Sequence, residues 1–527
     1  MSEPCEVHEY SIERLLDLFE KKPKASCHEV RAKLHTIYFR DYFACIGAKT
    51  IVVENEYVDR DYLEDYAEYY VRCFREYPRK CTRLHFFKLA FTHEDFDNCL
   101  VKRSDWLTPE LLQEHYLGFI VLKPLPRTII GRTCLITYPP EGRRFFPATR
   151  CYDANLFGLC LKVKNSLAFQ EQDSVVAACA TSALWSIFQA TGQLFQHQIP
   201  SPSAITNNAT EILTTERRAL PSPGLTPLEM AHAIKSVGLE PFHVNVGNHY
   251  WLKAIVYAYL RAGIPMMLGF HLIDVSNLEP RYIGKHAVAI TGYSLGYTDP
   301  KPFENTGFLL KAARIDKIYA HDDQVGPFSR MVIDGQIIKD TDGKMSPSIL
   351  TSWQGDNGDI GGRRAISEIL LIPLYHKIRI PFGTIHDIVF DFDLSLKNII
   401  SAVAVDLFPQ YQKFEWDIYL VSVNALKEDV FRSNDIGEKS RRELLLQSLP
   451  RYLWRASLLV DSSFMLDLLF DATDIEQGEF FVRAIEHDGD ITESLQILFR
   501  VEAIQTSFEA TPLWPIIRWF RKYERAG

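Results

Sequence analysis

The sequence predicts an α+β protein in three parts: an N-terminal α/β domain over 1–150, a core over 151–345 and a C-terminal α+β domain over 346–527. Three observations carry this. Strand-like runs rich in β-branched and aromatic residues and bounded by proline, "YLGFIVLKPLP" and "RTCLITYPP", follow helical segments in the first part. The middle part reads as helices first and strands later. A segment rich in Gly, Asp and Ser, "DTDGKMSPSILTSWQGDNGDIGGRR" (Asp340 to Arg364), separates it from the third part as a boundary loop or as a flap over a site. Its glycines match no phosphate-binding pattern.

The elements follow in order. Residues 10 to 45 read as helices, "KTIVVEN" (Lys49 to Asn55) as a short strand, and "RDYLEDYAEYYVRCFREY" (Arg60 to Tyr77) as a Tyr-rich amphipathic helix. In the core, Ala180, Ala183, Leu184, Ile187 and Phe188 recur at helical spacing, with Gly192 as the residue that ends the helix. A second helix is announced by Thr226 as N-cap, Pro227 at the first position, Glu229 completing a capping box and Gly238 closing it. "WLKAIVYAYLRAGIPMMLGFHL" reads as a helix to Gly263 and a strand from Ile264 to Phe270. "GKHAVAITGY" reads as a strand with His286 at its start, and "KIYAHDDQVGP" as one ending at Asp322 and Asp323. In the third part "AISEILLIPLY", "DIVFDFD" and "WDIYLVSV" read as strands, "SRRELLLQSL" and "SSFMLDLLFDA" as helices.

Composition narrows the function. Hydrophobic residues at 47% and charged residues at 24% place the chain in the globular class. The net charge of −9 gives no electrostatic footing to general nucleic-acid binding. The basic clusters Lys439 to Arg455 and Arg518 to Arg525 are broken by apolar residues at helical intervals and read as solvated helix faces. The acidic start "MSEPCEVHEY" carries no signal-peptide core, and no apolar run is long enough to span a bilayer. All ten cysteines lie at or before Cys179, which suits a reducing compartment and predicts a cytoplasmic protein. Cys73, Cys81, His85, His93 and Cys99 lack the tight pairing of a zinc site. His232, His243, His249 and His271 have no partner at metal-ligand spacing and read as structural. The sequence therefore predicts no metal and no cofactor.

One stretch stands apart, "QDSVVAACATSALWSIFQATG" (Gln172 to Gly192). It places Cys179 at the first turn of an amphipathic helix, where unpaired N–H groups and the helix dipole favour a thiolate. A nucleophilic thiol needs a base, and the base needs an orienting group. Cys179, His286 and Asp322 supply these types in that chain order. Acyl transfer also needs an oxyanion donor, and Gln172 lies just upstream of the helix. Asp323 competes with Asp322. Neighbouring strand residues face opposite ways, so only one of the two is expected to face His286. His321 is expected to point away, at the surface.

Together, Gln172 before Cys179, "GLTPLEMAHAIKSVGL", "LRAGIPMMLGF", "HAVAITGY" and "YAHDDQVGP" resemble the papain-like cysteine peptidase superfamily. The order is most similar to the bacteriocin-processing peptidases that remove double-glycine leaders. The resemblance covers Gln172 to Pro327 and implies N-terminal helices followed by an antiparallel sheet, with Cys179 as nucleophile, His286 as base, Asp322 as orienting acid and Gln172 as oxyanion donor. The sequence departs from the family in several places. The Gln172–Cys179 interval is one longer than usual, which leaves Gln170 or a backbone group as alternatives. Ala180 follows the cysteine, and "SLGYTDPKPFENTGFLL" lengthens the His286–Asp322 interval. The transporter that usually accompanies leader peptidases is not in the sequence, so the double-glycine substrate does not carry over. The expected activity is hydrolysis of a protein or peptide. Acyl transfer to an amine and a silent papain-like interaction module are the alternatives, and the flanking domains would select substrate or hold a regulatory protein partner.

Overall fold

The computed structural model describes residues 3–23, 25–173, 178–211, 224–340, 342–474, 478–487 and 489–522. Helix and strand occur in comparable amounts, 37% and 31%, so the chain is a mixed α and β protein. Its contacts form two compact units. The first comprises Met1–His249, Gly263–Ser294 and Asp316–Pro373; the second comprises Tyr250–Ala262, Leu295–Ile315 and Leu374–Gly527. The segments 1–150 and 151–249 therefore share one unit.

In the first unit, β1 (Cys5–Glu9), β2 (Thr50–Tyr57), β3 (Cys81–Phe87), β4 (Tyr116–Leu122) and β5 (Ile130–Leu135) form a sheet in chain order, antiparallel throughout. Helices α1 (Leu34–Ile46) and α2 (Arg60–Glu68) accompany it. α2 stops at Glu68, well short of the expected Tyr77. A single 3-10 turn, Tyr70–Arg72, follows it.

Helix α3 (Cys179–Phe195) is buried along nearly its whole length. It runs one turn past Gly192 and ends at Gln196, which takes the left-handed conformation at φ 59°. Gly192 serves packing instead: a Cβ there would lie 2.6 Å from Ile199 Cγ1. α3 is pinned from the N-terminal segment, because Trp185 Nε1 donates to Asp61 Oδ2 at 3.1 Å and Arg132 donates to the same oxygen at 2.6 Å. α4 (Pro227–Ser236) has the capping box that its sequence announces, with Gly238 at φ +83° beyond it.

The strands that follow form a closed ring. β6 (Glu240–Asn245) attaches outside it; β7 (Met266–Asp274), β8 (Arg281–Leu295), β9 (Ile315–Asp322), β10 (Gly326–Val332), β11 (Ile349–Leu350) and β12 (Arg363–Leu374) neighbour one another in that order. β12 returns to pair with β7, antiparallel, so Leu268 faces Val288 on one side and Leu370 on the other. "AISEILLIPLY" is thus the strand that closes this ring. Gly326, at φ +152°, makes the β9–β10 turn possible, because a Cβ there would sit 2.3 Å from the Tyr38 ring of α1.

In the second unit, α5 (Phe382–Ile399) accompanies the antiparallel strands β13 (Glu415–Ser422), β14 (Tyr452–Val460), β15 (Ser463–Asp471) and β16 (Phe481–Glu486). Two expectations fail here. "DIVFDFD" lies inside α5, whose buried residues Phe382, Ile385, Val389, Phe392 and Leu396 recur at helical spacing over a longer window. "SSFMLDLLFDA" is β15, because Asp461 and Ser462 both adopt positive φ (46° and 69°) and fold β14 back onto it as a two-residue hairpin.

Candidate active site

Cys179 is the first residue of α3. The residue before it, Ala178, has no side chain that could cap the helix, so no capping side chain competes for the first-turn N–H groups. His286 lies on β8 and lines the same cleft as Cys179. The Cys179 thiol is close enough to the His286 ring to help raise its pKa. His286 Nε2 faces Asp322 Oδ1 at 3.1 Å. Cys179, His286 and Asp322, widely separated in sequence, are thus brought into one corner.

Asp323 is there too, and this corrects the expectation from strand alternation. Its Oδ1 lies 3.6 Å from His286 Nε2. Alternation holds only while the ladder continues. The β9–β10 pairing slips between Ala320 and Asp322, Val325 N donates back to Asp322 O at 3.0 Å, and Asp323 sits in the resulting turn. His321 is likewise not at the surface. It is buried: its Nε2 bonds Leu167 O at 3.0 Å, and its Nδ1 accepts from Phe328 N at 3.1 Å. Burial drives its pKa down to about 3, so it is a neutral structural histidine.

The acids differ in their donors. Asp322 Oδ1 accepts from Gln324 N at 3.1 Å and Oδ2 from the Trp353 indole N–H at 2.7 Å. Burial would raise its carboxyl, but the His286 charge, the bond to that ring and these two donors prevail and hold it below the usual range. Asp323 accepts from the Gln324 side-chain amide at 2.9 Å. Burial pushes its carboxyl up to about 6; the His286 charge opposes that and Asp322 adds to it. Burial disfavours charge on His286. The Asp322 carboxylate, its hydrogen bond, Asp323 and the Cys179 bond outweigh this, and the imidazole pKa stands well above its ordinary value.

Trp353 escapes a sequence reading altogether. It comes from the Asp340–Arg364 segment, which reaches the site and is not only a boundary. Its ring meets the His286 ring edge-on at 5.2 Å. Asp274, almost fully buried, anchors that segment: its Oδ2 accepts from Asp356 N at 2.9 Å and from Arg363 Nε at 3.3 Å.

Gln172 is half-buried and does not border the cleft. Gln170 is buried, with its side-chain nitrogen lacking a partner among the described residues. Residues 174–177, between these glutamines and Cys179, lie outside the described residues.

The cleft, about 330 Å³, has Cys179 and His286 on one wall and Pro227, Met230, Met267, Phe270, Ile369 and Leu371 around it. Lys285 and Glu368 also border it and pair at 2.9 Å, with His271 Nε2 3.3 Å from Glu368.

His286, Asp322 and Asp323 also offer one ligand atom each within 4.8 Å of one another, the one such group among the described residues. The donor set argues for a proton-handling pair. Two N–H groups already point at Asp322, and a cation there would meet them head-on. In the zinc-like sequence cluster, His85 is bonded to the Tyr116 hydroxyl at 2.7 Å and His93 pairs with Asp97 at 3.4 Å. Among the described residues, no helix is long and apolar enough to cross a membrane, and every cysteine described is a free thiol.

The chain matches no protein-family model and no curated protein.

Proposed function

We propose that this chain is a thiol-dependent hydrolase, a cysteine peptidase with a papain-like core, in which Cys179 attacks the carbonyl of a peptide bond. One observation carries the reading: a thiol at the uncapped start of a buried helix shares a cleft with an imidazole whose Nε2 is 3.1 Å from a buried carboxylate. The order of elements supports it, since the nucleophile comes from a buried helix and the base and acid from antiparallel strands after it.

His286 takes the thiol proton, and Asp322 stabilises the imidazolium that forms. The thiolate adds to the carbonyl carbon. The oxyanion is met by the Cys179 backbone N–H and a glutamine amide, each donor contributing about 3 kcal/mol to the transition state. The C–N bond then breaks, His286 gives its proton to the departing amine, and the acyl group stays on sulfur. Water, deprotonated by the now neutral His286, attacks the thioester and releases the acid and the thiol. The apolar cleft beside Cys179 fits a substrate with a large aliphatic or aromatic side chain next to the scissile bond, and offers nothing to select glycine.

The test has two stages. Iodoacetamide at mildly acidic pH should modify Cys179 far faster than the other cysteines, and His286→Ala should erase the difference. Proteome-wide N-terminal profiling, wild type against Cys179→Ala, should then yield new N-termini that depend on the thiol. Amine incorporation without cleavage would replace hydrolysis by acyl transfer, and even labelling of all exposed cysteines would end the enzymatic reading.

A further inference from the structure

We propose that Asp322 and Asp323 do different jobs on one ring: Asp322 orients His286, and Asp323 is a second positioning acid that keeps the ring cationic beside Cys179. The proposal rests on reading Cys179 as the nucleophile and goes beyond a single-acid triad.

Geometry carries it. Both carboxylates approach the same nitrogen, at 3.1 Å from Asp322 Oδ1 and 3.6 Å from Asp323 Oδ1, and both acids are 3% exposed. Their donors divide the work. Asp322 is held at both oxygens, by Gln324 N and by the Trp353 indole, so its direction is fixed. Asp323 is held by the Gln324 amide on Oδ2 and turns Oδ1 toward the imidazole. A buried carboxylate is costly without a cation, and the cation it finds here is the imidazolium.

The surroundings leave that pairing intact. His286 faces Asp323 from β8, and Asp322 adjoins it from the end of β9. Cys179 reaches the ring from α3, and Trp353 covers it from the loop before β12. From α1, His35 stands behind the two acids; burial lowers its pKa, against the pull of Glu171 and Asp322, so it adds no competing charge. Beyond it, Lys33 is paired with Glu171.

Because its carboxyl sits at about 6, Asp323 is charged through the neutral and alkaline range. There it delays loss of the imidazolium proton, so the thiolate–imidazolium pair should persist to higher pH than one acid allows. Attraction at such a separation corresponds to a shift of about one pH unit under full water screening, and to more between buried groups.

The experiment follows Cys179 alkylation by iodoacetamide from pH 5 to pH 10, residue by residue by mass spectrometry, so no substrate is needed. The alkaline limb, where the ring loses its proton, should move down by about one pH unit or more in Asp323→Asn. Asp323→Glu should restore the limb. Asp322→Asn should instead lower the plateau about tenfold or more. Asp323→Ser provides a second neutral variant, with folding of each checked by circular dichroism. In the unmutated protein, ¹⁵N histidine spectra should show the His286 ring cationic at pH 8. A neutral ring there, or an Asp323→Asn limb that coincides with wild type, overturns the proposal. Those results leave Cys179 selectivity intact, whereas loss of selectivity in the wild type marks failure of the peptidase reading itself.

Discussion

Trp353→Phe isolates a single hydrogen bond in the site. The aromatic contact with His286, edge-on at 5.2 Å, survives the change, and only the indole N–H that donates to Asp322 Oδ2 at 2.7 Å is lost. A hydrogen bond to a buried charge contributes about 1.5–3 kcal/mol. Asp322 keeps the Gln324 backbone donor at 3.1 Å, which favours the lower part of that range, about 1.5–2 kcal/mol. Expressed in the orientation of the reacting imidazole, that is a fall of about 10- to 30-fold in the rate of Cys179 acylation. The assay is single-turnover modification by a peptide electrophile, measured against a thermal melt of the same sample. The variant should also be more acid-sensitive. The lowered carboxyl of Asp322 adds stability above its unfolded pKa, and that stability is lost as pH falls through the folded value. Losing the indole donor moves the folded value up, so the loss begins at higher pH. An acylation rate within twofold of wild type, in a protein that melts normally, would refute the role given to Trp353.

Further outcomes follow from other parts of the site and core. Gln172→Ala and Gln170→Ala separate the two possible oxyanion donors: the substitution that removes the donor should slow acylation about 100-fold with little change in KM, and the other should not. Met230→Trp should narrow the 330 Å³ cleft and raise KM for apolar peptides about tenfold, with kcat nearly unchanged; an unchanged KM would mean the substrate lies elsewhere. Burial lifts the Asp65 carboxyl to about 8, against the pull of Lys123 and the Ser203 N–H that it accepts at 3.0 Å. The folded state therefore prefers Asp65 protonated, and stability drains away as pH rises from its unfolded value toward 8. Asp65→Asn keeps an acceptor for Ser203 and should gain on wild type by up to about 1.4 kcal/mol per pH unit across that window. Urea titrations at pH 5 and pH 8.5 that run parallel for the two proteins would contradict it.

Local chemistry was readable in the sequence where it was self-contained. Thr226, Pro227 and Glu229 announce α4 because a capping box is closed within four residues. Cys179, His286 and Asp322 were readable because few residue types can serve a thiol, although nothing local states that they meet. Long-range effects were hidden. Trp353 reaches Asp322 across 31 positions, out of a loop whose composition speaks only of turns. Asp323 was set aside by a rule for regular strands, and the turn that breaks the rule depends on Gly326 making room for Tyr38 on a distant helix. "DIVFDFD" alternates like a strand over seven residues, while the eighteen-residue window of α5 is plainly helical. The hairpin at Asp461 and Ser462 had the opposite effect, turning a helical-looking run into β15.

The ring of strands has a consequence for the order of synthesis. β12 emerges from the ribosome after every other member, yet it supplies the seam to β7 and carries Ile369 and Leu371. A nascent chain halted before Arg363 already contains Cys179, His286 and both acids, but leaves β7 with an open edge and the cleft without Ile369 and Leu371. The ring, and the cleft that it lines, can therefore close only after the polypeptide has passed Leu374.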